Sequence, residues 1–427
     1  GTLMKMAIAL PSFVADDNRF PAHFGQSGRT HDHLQFPLHS ARGTFVVRFV
    51  SGSTFQMEQA VTHLGLRRNK SWSHQPRPSR ELSPRRMTPP ASPTKSKYLG
   101  ESFCAPSDTG GSGTFEEVLL ETGPETFQRV MSDASDVSSA SYRQIRRIAV
   151  AGGGACKFAP LFRSALRVDI HPCKELSAVV DGLLLLAAHH DEVDLDSGRI
   201  EGGCQLESDA DLFTIGADGR PMQLPWPQTL FPLLLVNMGS GVSILQVNSA
   251  KGNDYVRVGG TACGGGTFLG LARALTSATS FEEALALAEA GNAGRADKLV
   301  SDIYGEEGSA ALGLAGSLTA SNFGKLCEMP ANGTGMCSEH DLARSLLQMV
   351  TQQSVLLATA LAKHANCLDR VFFVGGFVDE PNKIARTSIA ANFRSLGGCA
   401  YFLRHSDFLG ALGSLRCAFQ ELEEHDV

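Results

Sequence analysis

The chain has 427 residues, 43% of them hydrophobic and 19% charged, which is enough apolar material for a large core and two domains. Its net charge of −6 gives no reason to expect nucleic acid or a membrane surface as partner. Ten cysteines lie scattered without a CxxC pair or metal-ligand spacing, which predicts reduced thiols in a cytosolic protein. The longest apolar runs, such as 183–188, are far too short to span a bilayer, and no secretory signal is visible.

In chain order, RGTFVVRFV (42–50) predicts a strand and 54–66 a helix. From 67 to about 113 the chain is rich in Ser, Pro, Arg, Lys and Gly, with few aliphatic residues. Such a segment buries too little apolar surface to order itself, and 67–143 is expected to be a disordered insertion. It carries Ser83-Pro84, Thr88-Pro89 and Ser92-Pro93 among several arginines. A phosphorylation-controlled docking tail is the sharper reading of these pairs, and a solvated linker the simpler and preferred one.

A strand at 148–151 runs into Gly152-Gly153-Gly154. Over 174–188, Leu176, Val179, Val180, Leu183, Leu184 and Ala187 recur at helical spacing, with Glu175 in the first turn. The apolar run 233–238 ends in Gly239-Ser240-Gly241 and is followed at once by 242–247, the pattern of a hairpin with a glycine turn. Gly264-Gly265-Gly266 then opens a helical pattern. Glycine lets backbone N–H groups approach a ligand, and a helix N-terminus carries partial positive charge, so this stretch is expected to bind an anion, most often phosphate. Ser280 and Glu283 form a capping box for a helix closed by Gly291, and Ser338 caps a long apolar helix at 339–364. A strand at 370–374 runs into Gly375-Gly376; a strand at 400–403, a glycine-containing turn and a helix end the chain.

Strands alternating with helices, three of them ending in glycine turns at 152, 239 and 375, fit two α/β halves pinching a nucleotide better than one doubly wound sheet. No GxGxxG lies in a strand–helix context with an acid after it. Residues 316–325 (GSLTASNFGK) have the wrong spacing for a Walker A loop, and Leu326 stands where Ser or Thr would hold magnesium.

Longer motifs are more specific. LLLVNMGSGVSILQV (233–247), RVGGTACGGGTFLGLARALT (257–276) and SFEEALALAEAGN with ADKLVSDIYG (280–305) resemble the eukaryotic-type (type II) pantothenate kinases. So do IAVAGGGACKF (148–158), HPCKELSAVVDGLLLL (171–186), DLARSLLQMVTQQ (341–353), RVFFVGGF (370–377) and FVVRFVSGSTFQME (45–58). The resemblance is collinear over roughly 42–66 and 144–415. GTLMKMA (1–7) is similar to the end of that family's phosphate hairpin, Asp-x-Gly-Gly-Thr-Leu-x-Lys, with Gly1, Thr2 and Lys5 at the matching positions. The hairpin's aspartate, expected to serve the metal, would lie upstream of residue 1.

The family belongs to the superfamily of sugar and acetate kinases, actin and heat-shock ATPases. The resemblance therefore implies an α/β fold of two RNase H-like domains with ATP in the cleft between them. Residues 1–66 and 144–230 would form the N-terminal lobe and 231–427 the C-terminal lobe. It implies ATP- and Mg²⁺-dependent phosphorylation of pantothenate, the first step of coenzyme A synthesis. Glu175 matches the catalytic glutamate, Arg257 the arginine that binds substrate, and Ser240 and Ser243 positions near substrate and phosphate. Gly239, Gly241, Gly264, Gly265, Gly266, Gly375 and Gly376 match the nucleotide side. Each has an ordinary reading beside this one. Glu175 is also a helix-dipole residue, Arg257 a surface arginine on a strand, and the serines and glycines turn residues.

A cytoplasmic dimer with acyl-CoA as feedback inhibitor is also implied. Helix 339–364 is a candidate for the dimer interface or, equally, for intradomain core. The pattern departs at Ala262, where the family has Ser or Asn, at Gln352-Gln353-Ser354-Val355, for Asn-Asn-Ile-Gly, and at His405-Ser406-Asp407-Phe408, for His-Glu-Gly-Tyr. Two expectations follow: an active homodimeric kinase, or a degenerate subunit that supports an active paralogue in a heterodimer. A third, an amino-sugar kinase of the same superfamily, is disfavoured by the run around Arg257.

Overall fold

The most apolar strands in the sequence form the middle of a seven-stranded mixed sheet. Across the sheet its order is β11 (Tyr255–Thr261), β10 (Val242–Val247), β9 (Leu233–Met238), β14 (Val371–Val374), β15 (Ala400–Leu403), β7 (Leu212–Ile215) and β8 (Pro221–Gln223). β9, β10 and β11 make an antiparallel meander, β14 and β15 run parallel to β9, and β7 and β8 extend the far edge antiparallel. The computed structural model describes residues 3–11, 29–40, 43–53, 148–152, 158–160, 163, 170–196, 212–328 and 337–424, all in one compact unit. The helix expected at 54–66, the insertion at 67–143 and residues Gly1 and Thr2 lie outside them.

β9 and β14 are apolar at almost every position because both faces of the sheet are covered. Leu234, Val236, Met238 and Phe373 point to one core, and Leu233, Leu235, Phe372 and Val374 to the other. The first face carries α2 (Gly265–Leu275), α3 (Phe281–Ala290), α4 (Glu339–His364) and α5 (Lys383–Ser395). The second face carries α1 (Glu175–Asp196) and α6 (Leu409–Glu424). Beyond them lies a smaller sheet in which β1 (Leu3–Pro11), β2 (Arg29–Thr30) and β3 (Phe36–Ser40) all pair with β4 (Gly43–Ser53). β5 (Ile148–Ala151) and β6 (Ile170–Cys173) form a parallel pair, and β12 (Lys298–Leu299) and β13 (Thr319–Ser321) a short ribbon.

Local signals explain where the helices start. The Ser280 hydroxyl accepts the Glu283 N–H at 3.1 Å, and the Glu283 carboxylate accepts the Ser280 N–H at 3.2 Å. The same reciprocal pair links Ser338 and Asp341 at the start of α4. The apolar face of α4 packs against α2 and α3, so of the two readings open for it intradomain core is the observed one. Val355 is part of that core, 4% exposed, while Leu356 on the same helix stays exposed. Residues 212–223, grouped above with the N-terminal lobe, hydrogen-bond into the sheet of the C-terminal strands. No described helix is long and apolar enough to cross a membrane.

α1 and α6 cross with their backbones in contact. A Cβ on Gly182 would collide with the Leu409 carbonyl oxygen, and one on Gly413 with that of Ala178. Moving from Leu409 to Gly413 on α6 steps back from Gly182 to Ala178 on α1, so the helices run antiparallel. Gly413→Ala is expected to cost about 1–3 kcal/mol, the usual penalty for overpacking a closed contact. Gly270 on α2 meets nothing within 4 Å, so Gly270→Ala should add about 0.5–1 kcal/mol by helix propensity. Urea unfolding of both variants checks the opposite signs.

Candidate functional site

Three glycine turns meet at the carboxyl ends of β9 and β14, where ligands of open α/β sheets bind. The hairpin turn after β9 closes on itself through Gly239 N–H to Gly241 O at 2.9 Å. The N–H groups of Gly265 and Gly266, opening α2, donate to Gly239 O at 2.8 Å and Ser240 O at 2.9 Å. A Cβ on Gly264 would stand 2.7 Å from Gly241 Cα, and one on Gly265 2.8 Å from Gly239 O. Gly375, after β14, has φ +95°, which favours glycine, and a Cβ there would stand 2.7 Å from both Asn237 Oδ1 and Met238 O. Phe377 N–H then donates to Met238 O at 3.0 Å, tying the third turn to the first.

The expectation that the Gly264–Gly266 N–H groups cradle an anion needs correcting. Two of the three are bonded to hairpin carbonyls, and Gly264 N–H donates to Thr267 Oγ1 at 3.2 Å. The glycine run supplies close approach of backbone to backbone. A nucleotide-binding role for it therefore rests on shape and not on these donors. Ser240, between the turn glycines, is exposed.

A charged cluster borders the third turn. Lys5 Nζ on β1 lies 2.5 Å from Asp407 Oδ1, in the segment just after β15, and a Cβ on Gly376 would stand 3.4 Å from the same oxygen. Aromatic packing holds β1 there. Phe49 of β4 lies against Phe408 and His405, with ring centroids 5.1 Å apart in each case, and His405 Nε2 donates to Leu34 O at 2.7 Å. Asp379 belongs to the cluster. Burial, then the neighbouring Asp407 carboxylate and a hydrogen bond with it, push its carboxyl up to about 7, while Lys5 pulls it down. Sequence reasoning missed Asp379; the available signal was an acid just past a strand–glycine turn.

Ser243 and Arg257 lie on the second face of the sheet, which also carries α1 with Glu175 as its first residue. Arg257 pairs with Leu245, and Ser243 with Gly260, across β10 and β11. A register shift between Ile244 and Leu245 makes Val258 the extra residue, a bulge that turns Arg257 and Gly260 to the same side. The Arg257 guanidinium lies where a side chain on Gly260 would stand. From α1, the Ser177 hydroxyl bonds Tyr255 OH at 2.8 Å, and Asp181 occupies the space beside Gly252. α1 therefore runs antiparallel to β11. Glu175 also faces the end of β5, where a Cβ on Gly152 would stand 3.5 Å from its Oε2. Among the described residues neither Glu175 nor Arg257 has an ion-pair partner.

The departures from the expected pattern have separate structural roles. Ala262 is exposed in the turn before α2, where its carbonyl accepts Thr267 Oγ1 at 2.9 Å. Val355 is part of the buried core. Asp407 forms the ion pair with Lys5.

These features describe a mixed α/β protein with glycine turns and charged side chains gathered at one end of its main sheet. The Fumble family matches residues 109–416, and the chain belongs to that family, the type II pantothenate kinase family its motifs resemble. Pantothenate kinase 2 of Arabidopsis thaliana is 37% identical over 282 residues, covering 66% of this chain and 28% of that protein. Pantothenate kinase 1 of the same plant is 37% identical over 62% of this chain and 63% of its own length. The 4'-phosphopantetheine phosphatase of Mus musculus is 36% identical over 62% of this chain and 30% of its own. The chain thus matches under a third of the longer relatives and less than two thirds of the shorter. A ligand-bound xylulose kinase from Lactobacillus acidophilus superposes with a TM-score of 0.30 at 17% identity, over 44% of this chain and 38% of its own, too slight a likeness to argue from.

The Asp379 carboxyl sets a pH dependence. Its folded pKa of about 7 lies above the ordinary 3.8, so the fold holds its proton more tightly than the unfolded chain does. This contribution to stability is complete below about pH 4 and is lost as pH rises through about 7. Without added metal, Asp379→Asn should lose less stability than the wild type between those limits. Denaturant midpoints at a series of pH values would show it, and parallel curves would refute the coupling.

Proposed function

We propose that the chain is a pantothenate kinase, transferring the γ-phosphoryl group of ATP to the hydroxyl of pantothenate. The observation that carries this reading is that Glu175 and Arg257, within motifs of the family, have no ion-pair partner among the described residues. Arg257 offers two parallel N–H donors to the pantothenate carboxylate, with Gly260 leaving the guanidinium room to lie flat. Ser243, on the same face, donates its hydroxyl to substrate. Glu175, at the positive end of α1, accepts the hydroxyl proton as phosphoryl transfer proceeds.

ATP supplies the phosphoryl group, and Mg²⁺ offsets the charge of its phosphates. The described residues suit both. The turns carrying Gly239, Gly241, Gly264–266, Gly375 and Gly376 come together closely enough to shape a nucleotide site, and Lys5 is a cation for the phosphates. Asp379 and Asp407 are hard oxygen donors of the kind magnesium takes. The strand order β11-β10-β9-β14-β15, three antiparallel and two parallel, supports reading this sheet as an RNase H-like lobe. The smaller sheet and β5–β6 would belong to the other lobe. A cytoplasmic dimer under acyl-CoA control completes the reading by family resemblance.

One observation favours a second reading, a subunit that catalyses little and supports an active paralogue. Lys5, expected at the phosphates, already has a carboxylate partner in Asp407. Transfer of labelled phosphate from ATP to pantothenate by the full-length protein separates the two. On the first reading Glu175→Gln lowers kcat by about 10²–10⁴. Arg257→Ala acts chiefly on KM for pantothenate. A wild type that binds ATP and a paralogue but turns nothing over would replace the first reading with the second.

A further inference from the structure

The cysteines have no metal spacing in the sequence, yet folding gathers three donors. His171 and Cys173 on β6 and Cys417 on α6 bring one imidazole nitrogen and two sulfurs within 4.8 Å of one another. Secondary structure accounts for the convergence. His171 and Cys173 alternate along a strand with Pro172 between them and so share a face. Cys417 is set by the antiparallel crossing of α1 and α6. Gly182 lies against Leu409 and Gly413 against Ala178, so one further turn of α6 brings Cys417 level with the start of α1, beside Cys173. The three residues are half-buried, neither sealed in the core nor fully in solvent.

We propose that His171, Cys173 and Cys417 form a zinc site. Two thiolates and one imidazole are soft and borderline donors, the set that selects Zn²⁺ over Mg²⁺ or Ca²⁺. Binding displaces one proton from each thiol to solvent. Three protein ligands leave the fourth tetrahedral position to water or another small ligand. The bound ion clamps the end of β6 to the C-terminal half of α6. Cys173 is two residues before Glu175, so the clamp holds the chain where it enters the first turn of α1, one helical turn beyond the glycine crossing. The site is independent of the kinase reading and can exist whether or not the chain turns over pantothenate.

The test uses the full chain, reduced with a non-thiol reductant, stripped with a chelator and titrated with Co²⁺ as a spectroscopic stand-in for zinc. The expected result is one cobalt per chain, with the thiolate-to-cobalt charge-transfer band and intense visible bands of tetrahedral sulfur ligation, all removed by added Zn²⁺. Cys417→Ser and His171→Gln should each weaken binding by more than the 10–100-fold that losing a supporting partner costs. Cys327→Ser, at an exposed thiol elsewhere, should leave it unchanged. Circular dichroism shows whether each variant is folded, and His171→Gln leaves both thiols in place if a cysteine variant fails that check. Absence of the charge-transfer band overturns the proposal, as does a band that survives in folded Cys417→Ser. So does a Cys173–Cys417 disulfide found by mass spectrometry in protein that takes up no cobalt after reduction.

Discussion

The arrangement of the site depends on backbone meeting backbone where no side chain fits. The hairpin turn after β9, the first turn of α2 and the turn after β14 approach so closely that a single added carbon at Gly264, Gly265 or Gly375 would lie under 3.0 Å from main-chain atoms. The hydrogen bonds from Gly265, Gly266 and Phe377 to the end of β9 and its turn are possible only at that separation. They join the carboxyl ends of two central strands to the helix that follows the meander. The charged residues placed around them inherit that rigidity.

A second contact of the same kind organises the opposite face. The glycine crossing of α1 and α6 lets both helices lie on the sheet, and the Ser177–Tyr255 hydrogen bond sets how far α1 slides along β11. These two contacts fix the position of α1 on that face and set Cys417 beside Cys173. The bulge at Val258 completes it, since without the extra residue Arg257 and Gly260 would face opposite sides of the sheet. The aromatic packing of Phe49 with His405 and Phe408 does the same for β1, bringing Lys5 to Asp407 from the far end of the chain.

Legibility in the sequence followed the range of the interaction. The starts of α3 and α4 were readable because a capping box acts over three residues and its partners are adjacent in the chain. The glycine turns after β9 and β14 were readable because strand patterns stop at them. The anion site expected at Gly264–Gly266 was misread for the opposite reason. Two of its three N–H groups, those of Gly265 and Gly266, are bonded to the carbonyls of Gly239 and Ser240 earlier in the chain, which no local pattern reports. Asp379 was missed because its character comes from burial beside Asp407 and Lys5, not from its neighbours in the chain.

By itself the sequence determined the elements, their order, the family and which residue types were available for chemistry, since periodicity, caps and motif spacing are written within a few residues of one another. Tertiary structure alone decided which of those residues face one another. It paired Lys5 with Asp407, turned Arg257 toward Ser243, assigned the apolar face of α4 to the core and collected His171, Cys173 and Cys417. Each of these rests on a strand register, a helix crossing or a bulge. Such contacts join positions tens to hundreds of residues apart, where a shift of one residue turns a side chain to the other face.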